Sequence, residues 1–397
     1  MDKVEVAMRK LKLDKANWVP TKISELAKEY SKRVDNPSQS KYDRFVGLEH
    51  FVSGDLKIKK WGSTENLGSS MKAFQSGDIL FARRNAYLRR ASMVDFDGCC
   101  SGDAFVIRED HEKVVPGYLA FVMNSDALWD YANSNAAGTM SKRVKWRDLA
   151  EYEFLLPPKD QQKQLTELLW SMEHVVLKNL ELCSHLDVYF NSWLNSNINA
   201  HKNWKRKPLS SVATVQTGVA KNKSHANEID NIEVPYLRVA NVQDGYLDLN
   251  EVKSIVIRSK DQNRFLLQDG DVLLTEGGDF DKLGRGYVWQ NEIPNCVHQN
   301  HVFSVRTNKE ILLPWFLSLV TRSSYGKQYF LSCAKKTSNL ASINSSQLKE
   351  LRVLLPHIDE QNEIVDQYQQ IKSTMESANK KLSHSKMLQK SLINQIF

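Results

Sequence analysis

Apolar positions recur at helical spacing along two long stretches of this chain, and the two stretches are copies of one another. Leu155-Leu156-Pro157, followed by Asp160 and Gln162, opens the first, and Leu354-Leu355-Pro356, followed by Asp359 and Gln361, opens the second, at a constant offset of 199 positions. Each begins with a proline stop and an acidic or amide-rich first turn. Each then runs without Gly or Pro to near Ile198 or to Phe397. Both are predicted to be single long helices.

The spacing also predicts what the helices pack against. In the first copy Leu165, Met172, Leu186 and Trp193 follow a heptad line, and Leu168, Val175, Leu182 and Tyr189 fill the alternate three-four steps. Asn179 is the polar member of the seam, a residue type that fixes register at some cost in stability. In the second copy Ile364, Ile371, Ala378 and Leu392 form one line and Tyr368, Met375 and Leu382 the other. An amphipathic helix lying on its own domain would show a similar stripe. Two helices of matched length, about 55 Å at 1.5 Å per residue, favour pairing with each other, and these seam residues are the candidates for helix and subunit contacts.

The segments between the helices repeat as well. Asn17-Trp18 with Ile23, Leu26 and Ala27 is echoed by Asn203-Trp204 with Leu209, Val212 and Ala213, and Gly77-Asp78-Ile79-Leu80 by Gly270-Asp271-Val272-Leu273. Strands are expected at Ile79 to Ala82, Ala104 to Arg108, Val272 to Thr275 and His301 to Arg306, with short helices after Pro116 and Pro314. The expected fold class is α+β, with mixed bodies at 1–156 and 201–355 and long helices at 157–200 and 356–397. No alternating strand-helix series predicts a doubly wound sheet. A compact second body with neighbouring termini makes the helices an antiparallel intramolecular coiled coil and the chain a pseudo-twofold internal repeat.

Composition narrows the class. A chain of 397 residues with 41% hydrophobic and 25% charged residues is that of ordinary globular domains. No run of about eighteen apolar residues suggests a membrane span, and Lys3, Arg9, Lys10 and Lys12 break up any signal-peptide core, so a cytoplasmic location is expected. The five cysteines show no C-x-x-C spacing and indicate neither a disulfide framework nor a zinc ribbon. The net charge is +7: the bodies carry +3 and +6 and the helical stretches −2 and 0, a distribution that suits a polyanion partner for the bodies.

Motifs for chemistry are sparse. There is no phosphate loop, no nucleophile elbow and no H-E-x-x-H zinc helix. The glycine-rich run from Glu276 to Gly286 has its glycines in the wrong order for a nucleotide fingerprint. It reads either as a flexible loop or as one whose Lys282 and Arg285 approach DNA phosphates. In His298-Gln299-Asn300-His301 a strand would point the two histidines to opposite faces, which argues against a shared metal. Gln299 and Asn300, with His298, remain candidates for base edges. Asp78, Asp103 and Asp271, each after glycine, read as turn residues. Basic clusters complete the set: Arg83, Arg84, Arg89 and Arg90 around Tyr87; Lys142, Arg143 and Lys145 before Trp146; Lys335 and Lys336 with Asn339 in the second body; and Lys221 and Lys223 early in that body. Basic side chains among aromatics and amides suit a groove that meets phosphates and bases.

Over essentially its whole length the chain resembles the specificity subunit of type I restriction-modification enzymes. The resemblance rests on the two Leu-Leu-Pro helices and, in the second body, on Val212 to Gly218, Pro235 to Val242 and Cys296 to His301. The first body departs from that version at Gly98 to Ser101 and Gly138 to Lys145, so the two halves are expected to read different sequences. The resemblance implies a subunit of double-stranded DNA recognition with no catalysis and no cofactor of its own. It implies two modification (methyltransferase) subunits that methylate adenine with S-adenosylmethionine. Through them it implies restriction subunits, so that ATP and Mg reside on partners and none of these on this chain. A self-contained DNA methyltransferase or nuclease, and a coiled-coil adaptor without a DNA role, are the alternatives.

Overall fold

The computed structural model of the chain describes residues 13–199, 203–220, 230–278, 280, 283–336 and 341–397. The chain divides into two compact units, one of Met1–Leu182 with Ala378–Phe397 and one of Cys183–Ser377. Both divisions fall inside the long helices, which run Lys159–Asn197 and Ile358–Ile396.

Each unit is built on a four-stranded antiparallel sheet with the same order of strands. In the first unit it is Ala27–Glu29, Ala104–Glu109, Ile79–Ala82, Ala91–Met93. In the second it is Ala213–Thr217, Val302–Thr307, Val272–Thr275, Gly286–Val288. The Ile79–Ala82 and Val272–Thr275 strands are buried at every position, which is why their sequences are continuous rather than alternating. The glycine before each adopts positive φ, Gly77 at 92° and Gly270 at 89°, a conformation that side chains resist.

The aspartate that follows each glycine is more than a turn residue. Asp78, 1% exposed, accepts Gln75 N at 2.8 Å and a two-point contact from Arg108 at 2.7 and 2.8 Å. Asp271, also 1% exposed, repeats this with Gln268 N at 2.9 Å and Arg306, whose Nε and Nη2 both donate at 2.8 Å.

A second sheet, of five strands in the first unit and three in the second, accompanies the four-stranded one. Its shared element is a parallel pair, Arg44–Val46 with Gly98–Cys100 in the first unit and Asn231–Leu237 with Val297–His298 in the second. Burial pushes the Cys100 and Cys296 thiols up to about 12, and all five cysteines are unpaired.

The helix entries are braced identically. Trp18 Nε1 donates to Gln161 Oε1 at 2.8 Å, and Trp204 Nε1 donates to Glu360. Gln162 is buried; its oxygen accepts Val115 N at 3.0 Å and its amide donates to the Pro157 carbonyl at 2.8 Å. Gln361 does the same with Leu313 N at 3.0 Å and the Pro356 carbonyl at 3.1 Å. The first-turn amides noted in the sequence therefore fix each long helix to the loop that follows the Ala104–Glu109 or Val302–Thr307 strand.

Within each unit the two long helices pack against each other with opposite chain direction. In the first unit Asn179 Nδ2 donates to Ser385 Oγ at 2.9 Å, and Glu173 meets Gln389 at 2.8 Å. In the second, Phe190 lies 5.9 Å from Tyr368, and Trp193 Nε1 donates to Gln367 at 3.2 Å. The seam differs from the expected one in its second line. Leu165 is buried and Met172, Asn179 and Leu186 are half-buried, but the line beside them is Gln162, Leu169, Val176, Cys183 and Phe190. Leu168, Val175, Leu182 and Tyr189 are exposed, at 40, 45, 44 and 55%. The apolar doublets Leu168-Leu169 and Val175-Val176 satisfy both three-residue and four-residue steps, and packing selects the four-residue one. In the second helix Ile364, Tyr368 and Ala378 are buried and Ile371, Met375, Leu382 and Leu392 half-buried.

Glu173 is 2% exposed. Its second carboxylate oxygen has no hydrogen-bond partner among the described residues, and burial pushes its pKa above the usual carboxylate range. Such a group binds its proton more tightly folded than unfolded, so stability falls as pH rises from that range through the raised value. Glu173→Gln keeps the Gln389 contact and removes the charge. It should stabilise the protein by about 1 kcal/mol or more at pH 8 and change little at pH 4. Melting curves at the two pH values check this; an equal shift at both would refute it.

Candidate nucleic-acid interface

In the first unit the Ile79–Ala82 strand runs out into a junction of three chain segments. Arg83 N donates to the Asp103 carbonyl at 3.0 Å, Val144 N to the Arg83 carbonyl at 2.9 Å and Asn85 N to the Lys142 carbonyl at 2.9 Å. Arg143 sits opposite both Arg84 and Ala137 in isolated bridges. This stitching brings the two basic clusters of the sequence together.

Their side chains then divide. Arg84 Nη2 donates to Ser141 Oγ at 3.2 Å and Nη1 lies 3.7 Å from Asp103. Arg143 Nε donates to Asp103 Oδ1 at 3.0 Å. Lys142 and Lys145 are exposed. Tyr87 and Met140, 67 and 98% exposed, stand at the tips of the two loops.

Three arginines of this cluster turn to other work. Arg83 stacks over the Phe105 ring at 5.2 Å. Arg89, in the left-handed region with φ 49°, pairs with Asp126 and, at 3.1 Å, with Asp130. Arg90 donates to the Leu48 and Arg84 carbonyls at 3.1 and 3.2 Å, and burial lowers its pKa. Arg89 and Arg90 are thus struts of the loop that presents Tyr87, which corrects their reading as groove residues. Charge in a sequence says nothing of direction, and here backbone carbonyls and acids inside the unit take it up.

The second unit repeats the junction with different residues. Glu276 N donates to the His301 carbonyl at 2.9 Å and Ile343 N to the Glu276 carbonyl at 2.9 Å. Ser342 pairs with both Gly277 and Lys335, as Arg143 does with Arg84 and Ala137. Gly277 is needed there because a Cβ would stand 2.9 Å from the Ala341 carbonyl. Lys335 therefore takes the place of Ala137. Lys335 is exposed and Lys336 lies beside it in a two-residue strand. Lys221, Lys223, Lys282 and Asn339 lie outside the described residues.

The His298 to His301 segment also changes meaning. His298 is fully buried, its Nδ1 donates to the Val302 carbonyl at 2.7 Å, and burial lowers its pKa, so it is a neutral interior imidazole and no base reader. Gln299 N donates to the Leu237 carbonyl at 2.8 Å and Asn300 N to the Val219 carbonyl at 3.0 Å. The Gln299 side-chain oxygen accepts Val239 N at 3.4 Å, and Asn300 is half-buried. The segment ties the two sheets together, and it passes so close to Gly218 that a Cβ there would stand 1.9 Å from the His298 carbonyl. Arg285 likewise turns inward, to Gln243 at 3.0 Å and the Val239 carbonyl at 3.4 Å. His301, 54% exposed in its side chain, contacts Glu276. Asp103, Glu276 and His301 are thus the junction residues that sequence patterns understate, because each is recognisable only from the strand it faces.

Among the described residues no group of three or more His, Cys, Asp or Glu side chains could hold a metal ion, and no helix is long and apolar enough to cross a membrane. The same four-stranded sheet in each unit, a braced long helix after each, and loops of unlike composition on one repeated junction define an internally duplicated α+β chain. Residues 201–384 match the type I restriction modification DNA specificity domain. The chain is 23% identical over 306 residues to the type I restriction enzyme EcoKI specificity subunit of Escherichia coli (strain K12), covering 72% of this chain and 65% of that subunit. A solved chain described under complex assembly and conformational transition of the type I R-M system aligns with a TM-score of 0.60 at 21% identity, covering 97% of this chain and 98% of that one. The S subunit of a type I restriction-modification system from M. genitalium aligns with a TM-score of 0.55 at 13% identity, covering 98% of each chain. Residues 201–384 thus carry the type I DNA specificity domain, and the chain as a whole is similar to the specificity subunits of type I restriction-modification systems.

Proposed function

We propose that this chain is the DNA-reading subunit of such a complex. It binds a bipartite, asymmetric double-stranded target, one half-site through residues 1–156 and the other through 201–355. The helical stretches 157–200 and 356–397 set the spacing. Bound there, it directs adenine methylation and DNA cleavage by two modification subunits and by restriction subunits joined through them, with S-adenosylmethionine, ATP and Mg on those partners. The observation that carries this reading is the repeated junction. The same backbone stitching carries Arg84, Lys142, Arg143 and Lys145 in one unit and Lys335, Glu276 and His301 in the other. A common frame with unlike loops is what reading two different sequences requires. The exposed line Leu168, Val175 and Leu182 supplies apolar surface for a modification subunit.

Methylome sequencing of cells with and without the gene, in the presence of the companion methyltransferase, tests the proposal. One gapped adenine-methylated motif should appear only with this chain. Methylation without a motif, or DNA cut by the purified chain alone, would overturn it.

A further inference from the structure

We infer that Arg143 reads a guanine in the half-site bound by the first unit, with Asp103 as its positioning residue. The inference rests on the DNA-reading function proposed above and names the base class that one of its loops recognises. Three side-chain arrangements separate Arg143 from the other arginines nearby. Arg84 has Nη2 on Ser141 and Nη1 beside Asp103, Arg89 has both terminal nitrogens on Asp126 and Asp130, and Arg90 has both on carbonyls. Arg143 is held by Nε alone, at 3.0 Å from Asp103 Oδ1. Its two terminal nitrogens make no hydrogen bond among the described residues.

That is the half of a guanidinium that matches the O6 and N7 acceptors of guanine in the major groove. Pinning Nε to a carboxylate orients the fork and removes the rotamer freedom that a long side chain would otherwise lose on binding. The backbone is fixed too, since Arg143 N donates to the Ala137 carbonyl at 2.9 Å and Ala137 N to the Arg143 carbonyl at 3.0 Å. The side chain is 44% exposed and that of Asp103 25%, so the acid sits behind the arginine rather than in front of it. The second unit has nothing equivalent. There Ser342 takes the place of Arg143 and His301 that of Asp103, so the assignment applies to one half-site only.

The test maps the methylated motif produced by the companion methyltransferase with the wild-type chain and with Arg143→Ala, Arg143→Lys and Asp103→Asn. The wild-type motif should contain a G·C pair at which both Arg143 variants lose roughly 5- to 150-fold in discrimination. Asp103→Asn should lose part of the discrimination at that same pair. All other positions should hold. Persistence of the other half-site in each variant's motif reports that the chain is folded, and Arg143→Lys retains the charge should the alanine variant fail to accumulate.

Two results overturn the assignment by contradicting guanine recognition directly. One is a first half-site without a G·C pair. The other is an Arg143→Ala variant that weakens binding evenly across sequences and lowers its salt dependence, the behaviour of a phosphate contact. A wild-type chain that yields no motif at all removes the proposed function, and this assignment with it. A retained motif that ignores Arg143 removes the assignment alone.

Discussion

Asp271→Ala should destabilise the second unit by about 2–3 kcal/mol. The carboxylate is buried and satisfies three donors, Gln268 N at the turn and two nitrogens of Arg306 on the neighbouring strand. Removing it unties the Gly270 turn and strands the guanidinium at the same time. The Arg306 side chain is 40% exposed and can regain water, which places the effect below that of a fully buried pair. Asp78→Ala in the first unit should behave alike, because Arg108 is 31% exposed and is also held over the Tyr30 ring at 4.0 Å. Denaturant unfolding of the full chain checks both, with Asp103→Ala as a control of under about 1 kcal/mol, since its carboxylate meets exposed arginines. Midpoints for Asp271→Ala and the control that coincide would mean the repeated ion pair contributes nothing beyond a surface contact.

Inserting seven residues after Leu182 together with seven after Ser377 should lengthen the gap in the recognised sequence and leave both half-sequences as they were. Those positions are where one compact unit gives way to the other, so each unit keeps its own packing. A heptad also preserves the side-chain phase of both helices. Seven residues add about 10 Å of helix, close to the length of three base pairs at 3.4 Å each. Methylation mapping reads the outcome directly. A motif with an unchanged gap would dismiss the helices as spacers, and an altered half-sequence would mean that the insertion had disturbed a recognition unit.

The two halves of the chain were legible to different depths. The long helices, the Ile79–Ala82 and Val272–Thr275 strands and the Leu-Leu-Pro entries stand out in the sequence because length, continuous burial and proline each leave a local mark. The second sheets do not. Gly98–Cys100 and Val297–His298 are too short for any period to show, and their parallel partners lie far off in the chain. The helix seam was half legible, since Leu168 and Leu169 compete for one place and only packing decides between them. At the junction, Arg84, Lys142 and Arg143 come together as their composition suggests. Arg89, Arg90, Arg285 and His298 look the same on paper and face inward. A polar residue's identity carries no direction; Arg89, Arg90 and Arg285 are taken up by Asp126, Leu48 and Gln243, tens of residues away, and His298, on a buried strand, turns to Val302. Asp103 reads locally as a turn and gains its second role only from Arg143, forty positions on.

The division of the chain into units also orders its completion during synthesis. The second unit is one unbroken stretch, Cys183–Ser377, whereas the first needs Ala378–Phe397, whose Ile393 and Ile396 are buried with Trp129, Leu165 and Leu169. The part made first is finished last. A ribosome that stops short of residue 393 leaves a chain with one unit whole and the other open along its core, so a truncated product keeps the residues of both half-site readers and can complete only one.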